Sequence, residues 1–236
     1  MKGRLVVVGN GSVSSVRENS QESAAQHAYR YLRAGIMSGE LPVNSMLSES
    51  DLAHRVGASR TPVRAALLRL QDEGWITVYP RRGALVRDMG AQEAADISGA
   101  RLVLEVSGVR GLGPQGRSAF AVEFAGILAE QEEAANRGDT SAFVDLDVRL
   151  HRGFVEGARN ALLVDLYDRI RDRQSLMVAR SLAVSDRIGA IISEHRELVG
   201  LVAEGDVAGF EHLLSVHIRR THEGVVREAG NADTRV

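Results

Sequence analysis

Apolar residues recur every three or four positions along most of this chain and alternate with polar ones in one short stretch. From Gln21 to Ser38, the residues Ala25, Tyr29, Leu32 and Ile36 share one helical face, and Gly39 supplies the stop. Ser48 followed by Asp51 has the Ser-x-x-acid form of a capping box, which predicts a helix running to Val56 and ended by Gly57. A further helix restarts at Ser59 or Thr61, either of which can cap it, with Pro62 in the first turn where a missing N–H costs nothing. Val63, Ala66, Leu67 and Leu70 form its inward stripe. The alternating stretch comes next: Ile76 to Tyr79 and Ala84 to Arg87 flank Pro80-Arg81-Arg82-Gly83 as a β-hairpin.

Past Met89 the strand signal vanishes. Amphipathic helices are predicted at 91–111, 118–136, 139–157, 160–182, 184–204 and 206–229, punctuated by Gly113-Pro114-Gln115-Gly116, Gly138 and Gly205. Residues 1–20 turn from a short apolar run to small polar residues; Val-Val-Val-Gly-Asn-Gly lacks the third glycine and following helix of a dinucleotide loop, so a flexible tail is expected. The fold class is mainly α: a domain at 21–88 of three helices and a hairpin, then an all-α helical bundle at 89–232.

Composition narrows the class. At 236 residues with 44% hydrophobic content the chain can fill two cores. No apolar run reaches the ~18 residues of a membrane span, and no signal sequence is visible, so a cytoplasmic protein without membrane attachment is expected. With no cysteine, disulfides and thiolate metal sites are excluded.

The formal net charge of −2 hides a division. Residues 21–88 carry nine arginines against seven acids, whereas residues 89–236 carry seventeen against twenty-three. Between Leu52 and Gln71 lie Arg55, Arg60, Arg64 and Arg69 with no acid among them. Ser59, Arg60, Thr61 and Arg64 fall at the start of the third helix, beside its buried stripe, where a recognition helix meets base edges and phosphates. A solvated basic face is the alternative. The cap, the glycine turn and the polar face together favour a winged helix-turn-helix on double-stranded DNA, with Arg81, Arg82 and Gly83 at the wing tip approaching the sugar-phosphate backbone. A single recognition helix covers little DNA, so a homodimer on a palindromic operator is expected.

Within the acidic part, four polar residues stand on apolar stripes. Asp147 and His151 sit among Phe143, Leu150 and Phe154; His195 lies among Ile188, Ile191, Ile192, Leu198 and Val199; His217 lies among Phe210, Leu213, Leu214 and Ile218. Asp and His at i, i+4 project from one face, and one divalent cation would satisfy all four groups; a helix pair plus two hydrogen-bonded core histidines is the alternative. His27, His54, His212 and His222 lack that setting and are read as surface or packing residues. Arg101 shares a stripe with Ile97 and Leu104, so it either reaches an anionic ligand or forms an exposed pair with Glu105.

Two resemblances bear on these readings. Leu47-Ser48-Glu49-Ser50-Asp51-Leu52-Ala53, Ser59-Arg60-Thr61-Pro62-Val63-Arg64-Ala65-Ala66-Leu67, Gly74-Trp75-Ile76 and Arg81-Arg82-Gly83 resemble the DNA-binding domain of GntR-family bacterial transcription regulators. Asn44 stands where many members have glycine, a left-handed position that Asn tolerates, and Ser50 stands where several carry a base-contacting arginine. Leu146-Asp147-x-x-x-His151, Asn160-x-Leu162-Leu163, Glu194-His195-x-x-Leu198 and Gly205-Asp206 followed by His217-Ile218 resemble the FCD effector domain of the FadR-type subfamily.

That resemblance implies a divalent metal on Asp147, His151, His195 and His217, and separates the chain from members that bind acyl thioesters. Arg101 and Glu105 match the same domain's Arg-x-x-x-Glu pattern. Imidazole with carboxylate suits Zn first, with Ni, Mn or Fe as other candidates. The expected function is a ligand-responsive regulator sensing a small carboxylate through Arg101 and the metal. A metal-dependent hydrolase is the alternative, weakened by the lack of an evident general base.

Overall fold

The computed structural model describes residues 23–184 and 186–233, with side chains for 23–183 and 186–223. The tail expected at 1–20 lies outside the described residues. The chain divides into two compact units, Met1–Arg87 and Asp88–Val236.

In the first unit, helix α1 (Ala24–Ser38) starts at Ser23, whose hydroxyl accepts from the Gln26 N–H. Helix α2 (Glu49–Val56) is capped as the sequence predicts, Ser48 Oγ accepting from the Asp51 N–H at 3.5 Å, and ends at Gly57 in the left-handed conformation. Helix α3 (Arg60–Asp72) has Ser59 at its N-cap but no side-chain cap bond. An N-cap oxygen is met by the second or third helical N–H, and Pro62 in the third position removes one of those two donors, leaving only that of Thr61. Thr61 lies inside the first turn rather than at the cap.

The hairpin strands are β2 (Ile76–Tyr79) and β3 (Gly83–Val86), paired Ile76↔Val86 through Tyr79↔Gly83. A third strand, β1 (Met46–Leu47), joins antiparallel on the other side of β3 in the order β1-β3-β2. Two residues are too few to show alternation, so the sequence pattern does not reveal it. Asn44 leads into that strand at φ 61, the left-handed position its identity permits. Leu32, Val63, Leu67, Leu70, Ile76, Ala84 and Val86 are buried together as the inward faces of helices and sheet.

The second unit is all helical among the described residues: α4 (Ala91–Arg110), α5 (Pro114–Asn136), α6 (Thr140–Glu156), α7 (Ala161–Val184), α8 (Ile188–Glu204) and α9 (Val207–Asp233). Helix α5 begins earlier than the expected residue 118, because Pro114 occupies the first helical position, where its missing donor is harmless. Phe120, Phe124 and Phe154 stack at the core's centre with Phe210 edge-on to Phe154, and Leu150, Leu198 and Leu214 lie around them. Each such fully buried side chain is worth ~1.5–3 kcal/mol. Gly108 of α4 sets the spacing to α6: a Cβ there would lie 2.0 Å from the Phe154 carbonyl oxygen. No helix among the described residues is long and apolar enough to cross a membrane.

Candidate functional site

Three helices of the bundle turn a polar group into its core at one point. Asp147 and His151 come from α6, His195 from α8 and His217 from α9, and all four side chains are buried. One ligand atom from each lies within 4.8 Å of the other three. The sequence-predicted quartet is therefore one cluster.

The far side of each group is held by a residue from a different helix. His151 Nδ1 faces Glu105 of α4 at 2.6 Å, His195 Nδ1 faces Gln131 of α5 at 2.9 Å, and His217 Nδ1 faces Glu194 of α8 at 2.7 Å. Asp147 Oδ2 accepts from the Gln174 amide of α7 at 3.2 Å, and Gln174 in turn accepts from the Tyr167 hydroxyl. Against two carboxylates and an amide oxygen, the imidazoles donate through Nδ1 and keep a lone pair on Nε2. Those lone pairs converge: His151 Nε2 is 3.2 Å from His217 Nε2, and His195 Nε2, 3.4 Å from Asp147 Oδ1, has no hydrogen-bond partner. Opposed lone pairs and an unmet buried nitrogen are what a divalent cation would satisfy, so the donor set fits one.

The electrostatics agree. Burial, reinforced by the charges of Arg101 and His217, holds His151 well below the ordinary imidazole value of 6.5, and burial also lowers His195. Neutral imidazole is the metal-binding form. Burial likewise pushes the Glu105 carboxyl up to about 7, against the pull of Arg101.

Arg101 forms the pair with Glu105 that the sequence allowed, but the pair is buried rather than exposed. Arg101 is 1% exposed and its Nε donates to Glu105 Oε1 at 2.9 Å. Burial alone would lower its guanidinium, but Glu105, Tyr167 and Asp147 outweigh that and keep it charged. Its Nη2 has no hydrogen-bond partner. A cleft of about 450 Å³ opens elsewhere, among Gly111, Leu112, Gly116, Gly157 and Arg159, away from the quartet.

Gln131 and Gln174 were missed from the sequence. Both are fully buried polar residues on helices that supply the core, the same signal that marked the histidines, but as amides they suggest no metal chemistry.

On the first unit, Ser59, Arg60, Thr61 and Arg64 are all exposed along the start of α3. Arg64 is already engaged, its Nε and Nη2 donating to the two oxygens of Glu49 on α2 at 3.1 and 2.9 Å. Arg69 instead lies over the Tyr29 ring, 3.7 Å from its centroid, and pairs with Glu73, a packing role. At the wing tip Arg81 and Arg82 are exposed, with Arg81 at φ 64 in the turn closed by Arg82 N–H to Tyr79 O. Gly83 has a structural task within the sheet. At φ 110, a Cβ would come within 2.3 Å of the Leu47 carbonyl oxygen, so the pairing of β3 with β1 itself requires glycine.

Comparison with known proteins matches this architecture. The model of the bacterial regulatory proteins of the gntR family fits residues 24–86, and the FCD domain model fits residues 96–220. The "Probable D-xylose utilization operon transcriptional repressor" of Paenarthrobacter nicotinovorans is 26% identical, over 92% of this chain and 95% of its own length. A GntR regulator structure from Rhodococcus sp. RHA1 superposes with TM-score 0.70 at 21% identity, covering 87% of this chain and 98% of that one. The metal-free FCD domain of TM0439 aligns with TM-score 0.51 at 23% identity, over 61% of this chain and 99% of that domain. These families and relatives are regulators, which leaves the hydrolase alternative without support. The chain belongs to the GntR family of bacterial transcription regulators, with an FCD domain following its helix-turn-helix.

Proposed function

We propose that this regulator responds to a small carboxylate, held in the 89–232 domain beside a divalent cation, and that the response is read by the 21–88 domain on DNA. The observation that carries the reading is the buried quartet with its lone pairs turned inward and Arg101 nearby with an unmet donor. A bound cation, Zn first and Ni, Mn or Fe next, would supply positive charge and open coordination positions for an anion. Asp147, His151, His195 and His217 hold it; Arg101 binds the effector's carboxylate.

On the DNA side, Arg60 and Arg64 contact bases or flanking phosphates, with Ser59 and Thr61 beside them, while Arg81 and Arg82 follow the backbone near Gly83. Two chains bind a palindromic operator as a homodimer, and the protein works in the cytoplasm. Effector and operator affinities are then linked reciprocally, and coupling of ~1–3 kcal/mol is enough for a switch.

A thermal-shift screen of small organic acids on metal-loaded full-length protein, followed by operator titration with each hit, tests this. A hit must raise the melting temperature and change operator affinity, because a ligand that favours the folded state stabilises it. Acids that bind yet leave operator affinity unchanged would remove the regulatory role.

A further inference from the structure

The two carboxylate–imidazole pairs of the cluster differ in what stands behind the carboxylate. Behind His217, Glu194 meets Arg187 and Arg220, and the Arg220 side chain is 50% exposed, so that arm runs out to water. Behind His151, Glu105 meets Arg101, and the two side chains are 0% and 1% exposed. That arm is closed. One Glu105 oxygen takes the Arg101 Nε at 2.9 Å and the other takes His151 Nδ1 at 2.6 Å, while Arg101 Nη2 has no partner.

We propose that Glu105 is a positioning residue for the cation, clamped by Arg101, and that the clamp is made by the same guanidinium whose Nη2 is the seat assigned above to the effector's carboxylate. Both halves rest on the cation placed in the quartet, the second also on the sensing reading above, and wild-type protein that binds no Co(II) would overturn both.

A carboxylate on the far nitrogen of a ligating imidazole fixes its tautomer and ring orientation and raises its basicity. Glu105 can do this only while its own buried charge is balanced, and Arg101 is the cation beside it. An arginine suits both tasks because its fork donates in two directions, whereas a lysine presents a single point charge. The arrangement makes Arg101 serve the metal through Glu105 and the anion directly, with both effects carried on neighbouring turns of α4.

The test uses full-length protein stripped of metal, titrated with Co(II) and followed by its visible absorption, with and without acetate as the anionic probe. Glu105→Gln should weaken Co(II) binding about 10- to 100-fold and shift the absorption band. Should that variant fail to fold, the double variant Arg101→Met with Glu105→Gln removes both buried charges and should show the same loss. Arg101→Lys keeps a cation beside Glu105, so its Co(II) affinity should stay near wild type while acetate no longer tightens it. Wild-type Co(II) affinity and spectrum in Glu105→Gln or the double variant would overturn the positioning role. An undiminished acetate effect in Arg101→Lys would overturn the Nη2 seat. If acetate leaves the wild-type affinity unchanged, the sensing reading and the seat fall together, whereas the Glu105→Gln titration still decides the positioning role.

Discussion

Two arginine–glutamate pairs, one in each unit, show the same chemistry placed to opposite ends. Arg64 and Glu49 join α3 to α2 at the surface, with side chains 67% and 23% exposed, whereas Arg101 and Glu105 are paired in the middle of the bundle. In water a screened pair adds little stability, so Arg64 is cheap to redirect toward a base or phosphate. Inside the bundle neither partner can lose the other without leaving a bare charge at low dielectric. The Arg64 pair can therefore be exchanged for another partner at little cost, whereas the Arg101 pair is held in fixed geometry beside the quartet.

The contrast is sharpest for stability. Arg101→Met alone, which strands Glu105, should destabilise the apo protein by ~3–5 kcal/mol in denaturant unfolding. Little change would mean that water reaches the pair. Gly108→Ala should cost ~1–3 kcal/mol, since the added methyl meets the Phe154 carbonyl and pushes α4 from α6; unfolding midpoints measure it directly.

Effects on the first unit should appear in DNA binding instead. Arg60→Ala should lose ~1–3 kcal/mol of operator affinity with an unchanged melting temperature, and Arg81→Ala with Arg82→Ala should weaken all sequences alike and flatten the salt dependence. Equal losses in stability would erase the division between the units. Glu49→Ala, which frees Arg64, should leave thermal stability unchanged.

A small, pH-dependent effect is expected at Asp168, whose carboxyl is held below its ordinary 3.8 first by the hydrogen bond from Arg152, 2.8 Å away. A depressed carboxylate stabilises the fold above its unfolded value, and the contribution disappears as pH falls through the folded one. The stability gap between wild type and Asp168→Asn should thus be constant above about pH 4 and close below it. A gap that widened on acidification would have the wrong sign.

Much of this was legible in the sequence because it is local. Capping at Ser48, the stop at Gly57, the left-handed Asn44 and the polar residues on apolar stripes all depend on neighbours within a turn or two. What escaped depends on distant partners. The strand β1 exists only through its pairing with β3; Gly83 is explained by the Leu47 carbonyl; Gln131 matters because it meets His195, 64 positions away. The Asp/His quartet could be suspected from its stripes, but the arms behind it, Glu105 to His151 across 46 positions, belong to the packing of the helices. Two features near prolines also differ: Ser59 is the cap of α3 as expected but makes no side-chain bond, and α5 starts at Pro114 rather than 118.

The account rests on the quartet holding one cation. Metal analysis of the full-length protein after exposure to Zn and desalting, paired with melting curves before and after chelation, tests this most directly. One ion per chain, a clear fall in melting temperature on chelation, and loss of both in folded His195→Ala and His217→Ala proteins are expected. Protein that retains no ion and melts identically with or without Zn would contradict it, leaving the four residues as a hydrogen-bonded polar core.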